Sequence, residues 1–513
     1  MKRRSPLGSI GAVMCIMLVG KLLSLVANQA YLSYFGAGNE QLNIFSWVLQ
    51  IPNYLFQSFG TGLSSVVIPI FASLCVTGQR EEANRFASNL ICVASLFTLV
   101  LVACGMALSG VLPRFTEFVD KDYASMALRI MMPVMLFYAL TNIYQGILQS
   151  LEHFAVPALV NLPSGIVLLL YLACFADRFG VTGLLYAVVL GLFLQAAILI
   201  VPGWKAGFRF RPVVDLRSGH LRTAGRMMVP VVLGASAYQF NMLFNNTMMS
   251  NVAPNSVSLF NFVQTLILSS VLTLVTAITS VMYPALTARA AENDMPGFRK
   301  TLSGTVNAMI FLLTPITVGL LVLGHPLLEL ISLHGKMLPE DIRTVDLFLM
   351  MYCVSVVFLG IKEIMDRAFY SLKITGISAI TGVIIMVVNL IVGYVLSKFT
   401  PLGAAGIPLG YSIAAICGTV FLTGKLYRRI GGFGGGILGC AGKTAVSSLL
   451  MGAGVYGVYR LISRGLTSGS IGDRLLLVLI PTLFGMAAYF ALSWVLKTAP
   501  MVDFLASVRR KGR

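Results

Sequence analysis

Long apolar runs separated by short polar or basic connections set the rhythm of this chain. A helix that crosses a bilayer needs about 20 mostly apolar residues. Runs of that kind fall at 9–34, 44–75, 86–112, 126–150, 155–176, 181–202, 228–250, 256–286, 302–323, 346–371, 375–397, 403–427, 437–462 and 473–497. The pattern predicts an all-α polytopic membrane protein with about fourteen spanning helices. The first run opens like a signal peptide, "MKRRSPLGSIGAVMCIMLVGK". It stays apolar past Lys21 to about Tyr34 without a small-residue cleavage site, so it is expected to be a retained helix.

Composition agrees with the pattern. Of 513 residues, 57% are hydrophobic and only 11% are charged, where soluble domains carry roughly 25% charged residues. Mean hydropathy is +0.86. The net charge of +18 is spread over short loops rather than gathered in one stripe, which argues for cytoplasmic anchoring and contact with bilayer lipids and against nucleic acid. The loops holding Arg80 and Arg85, Lys205 to Arg226, Arg299 and Lys300, and Lys425 to Arg429 are basic, as are both ends of the chain. The alternate loops hold few basic residues, among them Arg114, Lys121, Arg178, Lys336 and Lys398. By the positive-inside rule both termini are expected in the cytoplasm.

Two breaks divide the chain. "WKAGFRFRPVVDLRSGHLRTAGRMM" is the longest connection, and "GGFGGG" at 431–436 reads as a joint. They predict a first lobe at 1–203, a basic cytoplasmic linker at 204–227, a second lobe at 228–430, and a C-terminal helix pair with a basic tail at 431–513. An internal repeat supports two six-helix lobes. "VVIPIFASLCVTGQREEANRF" parallels "SVMYPALTARAAENDMPGFRK", and "GILQSLEHFAVPAL" parallels "RAFYSLKITGISAI". The offsets are about 215–221 residues in both places, which is the pattern of a transporter with its substrate site between repeats.

Polar residues inside the apolar runs carry the candidate chemistry. Lys21 sits roughly 18 Å along the first helix, near mid-bilayer, where an ammonium needs a cavity or a partner. It is either a cation site for an anionic cargo or a structural lysine paired with a neighbouring helix. Asn28, Asn53, Gln57, Asn245, Asn261 and Gln264 offer donors and acceptors that suit sugar hydroxyls, or else join helices to one another. Lys362, Glu363, Asp366 and Arg367 place four charges within two turns of the tenth run. Lys362 with Asp366 and Glu363 with Arg367 have the i,i+4 spacing of self-neutralising pairs. They either stabilise the second lobe or form an ion site or gate there. Pro52, Pro69, Pro157, Pro163, Pro230 and Pro284, with Gly60 and Gly62, are expected to interrupt helices and provide bends.

Enzyme signatures are missing from the sequence: there is no HExxH, GxSxG or P-loop. The eight cysteines show no metal-ligand spacing, so no metal or cofactor is expected. Without a nucleotide-binding motif, transport would draw on membrane potential or an ion gradient.

The stretch "YLSYFGAGNEQLNIFSWVLQIPNYLFQSFGTGLSSVVIPIFAS" resembles the MurJ/MviN lipid II flippase family, within the multidrug/oligosaccharidyl-lipid/polysaccharide exporter superfamily. Phe35-Gly36-Ala37-Gly38, Pro52-Asn53, Phe59, Gly62, Ser65, Pro69 and Ala72 carry the likeness, with Leu330, His334-Gly335-Lys336, Lys362 and Phe369-Tyr370-Ser371 further on. The resemblance covers about residues 10–430. It implies two lobes around a cavity, a last helix pair offering a groove for a lipid tail, and flipping of an undecaprenyl-pyrophosphate-linked sugar by alternating access. It also implies envelope-synthesis proteins as partners. Where the family places cavity arginines, this chain has Lys21, Ala27, Phe56-Gln57 and about Thr265; where it places acids, Leu42 and about Leu268 stand. The leading expectation is a flippase for a lipid-linked saccharide. The alternatives are an ion-coupled exporter of amphipathic small molecules and an inactive, regulatory flippase relative.

Overall fold

The computed structural model describes residues 19–20, 23–24 and 26–502, except 152, 154, 332–337, 373, 375, 435 and 465–470. Lys21, His334-Gly335-Lys336 and the basic tail lie outside the described residues.

Among the described residues the chain is helical with no strand. Helix α1 covers 26–35. It is followed by α2 (Glu40–Val76), α3 (Arg80–Leu108), α4 (Lys121–Met131), α5 (Val134–Ser150), α6 (Ala155–Ala158), α7 (Leu162–Cys174), α8 (Ala176–Lys205) and α9 (Gly219–Val252). Then come α10 (Val257–Ala291), α11 (Met295–Ile331), α12 (Pro339–Ser371), α13 (Gly376–Phe399), α14 (Gly406–Ile430), α15 (Ile437–Ser463) and α16 (Ile471–Val495). Ten helical stretches among the described residues are long and apolar enough to cross a membrane, α4 and α5 joining into one of them. Helices α2, α9 and α10 are 37, 34 and 35 residues long. This is a multi-pass membrane protein.

The chain divides into two compact units, 1–261 with 335–337, and 262–334 with 338–513; the division falls inside α10. In the first unit α2 is the hub, packing on α3, α4, α5 and α9. Small residues allow the approach. A Cβ on Gly60 would meet the Asn142 amide of α5 at 2.8 Å, and one on Gly62 would meet Met228 and Val232 of α9 at 2.6 and 2.8 Å. Helix α2 stays helical through Pro52 and Pro69, and Gly60 and Gly62 lie inside it as contact points. The breaks anticipated at these positions are therefore absent from α2. Helical hydrogen bonding in apolar surroundings is costly to give up, and the space a missing Cβ leaves is filled by a neighbouring helix.

The sequence linker is built into this unit. Phe208 is fully buried, edge-on to Phe71 of α2 and Tyr144 of α5. Asn89 of α3 clamps the Asp215 backbone from both sides, donating to its carbonyl and accepting from its N–H, each at 2.8 Å. The Arg211 N–H donates to Ser88 Oγ at 3.1 Å, and the Arg80 guanidinium donates to the Ala206 carbonyl at 2.7 Å. His220 and Glu82 pair at 3.0 Å.

In the second unit α13 and α14 touch backbone to backbone. A Cβ on Gly410 would lie 2.5 Å from Gly393 Cα, a close approach of the kind small residues permit in membrane helices. Ser412 and Thr419 of α14 donate to the Met351 and Phe358 carbonyls of α12 at 2.6 and 3.1 Å. Helices α15 and α16 pack on α11 through Phe311, Leu323, Met451, Val455 and Tyr489. The Tyr489 hydroxyl donates to the Phe311 carbonyl at 2.6 Å, satisfying a phenol that burial would otherwise penalise.

The repeat read from the sequence has structural counterparts. The turns after α2 and α10 each contain one left-handed residue, Gly78 (φ 78°) and Asn293 (φ 58°), 215 positions apart. At the end of α5, Ser150 donates to the Ile68 carbonyl of α2 at 3.3 Å. At the end of α12, Ser371 shares a 3.2 Å hydrogen bond with Thr287 of α10.

Candidate functional site

The "FGAGN" stretch positions the start of α2. Gly36 takes φ 83°, the left-handed conformation that glycine adopts without cost. Asn39 then caps the helix, accepting from the Leu42 N–H at 3.2 Å. Asn43 ties this turn down, donating to the Ala37 and Asn39 carbonyls at 2.6 and 3.0 Å. Its Oδ1 accepts from the Ser258 N–H of α10 at 2.9 Å. Four residues into α10, Asn261 donates to the Ser46 carbonyl at 3.1 Å and to Asn246 Oδ1 of α9 at 3.0 Å. Asn246 donates to the Trp47 carbonyl at 3.3 Å. The Asn43–Ser258 and Asn261–Ser46 bonds both join positions 215 apart, the offset of the repeat.

The candidate amides thus occupy different settings. Asn245, Asn261 and Gln264 are buried, and Gln264 donates to the Tyr352 hydroxyl at 3.4 Å within the second unit. Asn28 on α1 and Asn53 on α2 are half-buried, and Gln57, one turn beyond Asn53, is exposed. On the same stretch of α2, Tyr54 and Ser58 line a hollow of about 40 Å³ with Ser236 and Gln239 of α9. The Gln239 Oε1 has no hydrogen-bond partner among the described residues. Neither Asn53 nor Gln57 lines this hollow, which Leu55, Phe240 and Leu243 complete; Asn261 sits in a helix-joining network, and Lys21 is not among the described residues.

In the second unit, the four charges of α12 form two pairs along one helix. Lys362 Nζ donates to Asp366 Oδ2 at 2.7 Å. Arg367 donates twice to Glu363 Oε1, at 2.8 and 3.1 Å, and lies 5.7 Å over the Tyr283 ring. The first pair is the deeper: the Asp366 side chain is 8% exposed and that of Lys362 22%. Asp366 Oδ1 has no hydrogen-bond partner among the described residues.

Residue spacing alone missed Asn43, Ser46 and Asn89. Asn43 carried a local signal, an amide just past a glycine turn. Asn89 carried none, because its partner is a backbone 126 positions away.

The family model described as "Lipid II flippase MurJ" matches residues 32–478. The chain is 26% identical over 464 residues to the probable lipid II flippase MurJ of Bdellovibrio bacteriovorus, covering 87% of each chain. It is 24% identical over 503 residues to the corresponding protein of Thermotoga maritima, covering 96% of each. Among solved structures, lipid II flippase MurJ in an inward closed conformation superposes with a TM-score of 0.78 at 21% identity, covering 94% of this chain and 98% of that one. An inward-facing multidrug resistance MATE family transporter of the MOP superfamily superposes at 0.66 and 17% identity, covering 82% of this chain and 98% of that one. These structural likenesses establish the fold.

Proposed function

Because the chain belongs to the MurJ lipid II flippase family, we propose that it carries lipid II, or a similar undecaprenyl-pyrophosphate-linked sugar, across the bacterial cytoplasmic membrane by alternating access. The observation behind this reading is the extent of the family match, 32–478, which takes in both copies of the repeat. Fourteen spanning helices, both termini in the cytoplasm, and lobes at 1–203 and 228–430 joined by the 204–227 linker complete the proposed topology. The work is transport, with no bond made or broken in the cargo, and the suppliers and consumers of the cargo are envelope-synthesis proteins.

Lys21 is the proposed phosphate-facing cation, and Asn28, Asn53 and Gln57 the proposed sugar-facing amides. The half-buried setting of Asn28 and Asn53 and the exposed one of Gln57 support this assignment. An ammonium keeps the charge of an arginine but offers a compact point contact in place of a bidentate fork. Asn261 and Gln264 act by holding helices in place, which their burial and bonds support, and the burial of Asn245 supports the same role. The Lys362–Asp366 and Glu363–Arg367 pairs are assigned to the stability or gating of α12.

The test is rescue of a bacterium depleted of its own lipid II flippase. Wild-type protein is expected to restore growth and outer-leaflet lipid II, and Lys21→Ala to fail at unchanged membrane abundance. Normal transport by Lys21→Ala removes Lys21 from the mechanism. Failure of the wild-type protein, together with acquired resistance to amphipathic drugs, favours the exporter reading instead.

A further inference from the structure

A cavity of about 1220 Å³ opens in the first unit between the start of α3 and the strap at 206–218 that joins α8 to α9. Arg80 and Arg85 of α3, and Arg209 and Arg211 of the strap, line it. The strap is held open at defined points by the buried Phe208 side chain and by the Asn89–Asp215 clamp. The guanidinium groups therefore converge from two separately anchored elements.

Most of this positive charge is uncommitted. Arg85, Arg209 and Arg211 are exposed and make no ion pair among the described residues. Three carboxylates also line the cavity: Glu81, Glu82 and Asp215. Glu82 is engaged by His220, and the Asp215 carboxylate accepts the Arg217 N–H at 3.0 Å. Four guanidiniums against these three carboxylates leave the lining net positive.

The strap, and the last turn of α8 before it, carry apolar side chains that nothing in the fold covers. Trp204 is 61% exposed, Val214 62% and Leu216 70%. Phe210 is exposed and lies between Arg209 and Arg211, yet only the two arginines line the cavity. Cationic and apolar groups thus alternate along one short segment, with Val213 lining the cavity and Arg217 outside it. In water that arrangement wastes apolar surface. At a bilayer interface both kinds of group are satisfied, one by phosphate and one by acyl chains.

We propose that this strap and cavity bind an anionic phospholipid of the membrane surface, its phosphate among Arg85, Arg209 and Arg211 and its acyl region against Trp204, Phe210, Val214 and Leu216. The occupant is chosen by charge complementarity together with the exposed apolar rim, which a free phosphate ion has no use for. The site is separate from the residues assigned to the cargo, so its test does not read transport.

Full-length protein in detergent is titrated with phosphatidylglycerol or phosphatidylcholine, and bound lipid is counted by native mass spectrometry. The wild-type protein is expected to hold several-fold more phosphatidylglycerol than phosphatidylcholine. Arg209→Gln/Arg211→Gln is expected to lose most of that excess at an unchanged melting temperature. Arg85→Gln, on the other element, carries the same expectation and serves if the double variant is unstable. No preference in the wild-type protein, or a preference that survives all three substitutions, overturns the proposal. Displacement of the lipid by an equal concentration of inorganic phosphate overturns it in favour of a soluble anion site.

Discussion

At the scale of the residue, α12 shows how a charged side chain is kept in an apolar helix. Spacing in the sequence identified the partners, because i and i+4 lie on one helical face. It did not identify which pair is deep. That follows from tertiary packing, which leaves Asp366 almost covered while Arg367 reaches Tyr283. Removing one member of a buried pair strands the other charge, at a cost of about 3 kcal/mol. Asp366→Asn is expected to lower the melting temperature, and Lys362→Met/Asp366→Asn to restore most of the loss. If the double variant is as unstable as the single one, the pair is not what matters at this site. The amides tell a similar story. Their presence in apolar runs was legible, but whether each faced a cavity or another helix was not, because a side-chain amide serves either purpose with the same atoms.

At the scale of the element, Gly60 and Gly62, read from sequence as breaks, are closeness devices. Gly410 of α14, which the sequence reading did not single out, makes a contact of the same kind with the Gly393 backbone of α13. No rotamer relieves a contact between a Cβ and a main chain. Gly410→Ala is therefore expected to push the helices apart and cost about 1–3 kcal/mol, read as a lower melting temperature. An unchanged melting temperature would show that the two helices can separate freely. Caps form a second class of element-level device. Asp294 precedes α11, accepts the Gly297 N–H at 2.9 Å and pairs with Arg289. The Gly297 hydrogen bond first, then Arg289, holds its carboxyl below the usual carboxylate range. A carboxyl depressed in the folded state stabilises above its unfolded pKa, and that contribution is lost as pH falls through the folded value. Wild-type protein should thus outlast Asp294→Asn on heating at neutral and mildly acidic pH, and the gap should close only below the ordinary carboxylate range. A gap already closed in mild acid would contradict this assignment.

At the scale of the whole molecule, the duplication was the most legible feature. It repeats chemistry at fixed offsets: a left-handed turn residue at 78 and 293, and a serine hydroxyl bond at 150 and 371. The class of protein was equally plain, since so few charges cannot clothe a water-soluble surface. Less legible was the fate of the central linker. Its composition reads as a solvated basic loop, and nothing local in "WKAGFRFRPVVDLR" announces that Asn89 will grip it or that Phe208 will be buried. Contacts between segments more than a hundred positions apart have no sequence period to betray them.

The clamp on Asp215 has one more consequence. A protease needs a stretch of slack main chain to draw into its cleft, and arginine is what trypsin cuts behind. The strap offers Arg209 and Arg217, the bond after Arg211 being closed to trypsin by Pro212, yet its backbone amides and carbonyls are spoken for at Arg211 and Asp215. Trypsin added to the folded protein in detergent should leave the two halves of the chain joined across this segment for far longer than two exposed arginines would predict, and Asn89→Ala should make that same segment the first place the polypeptide is severed.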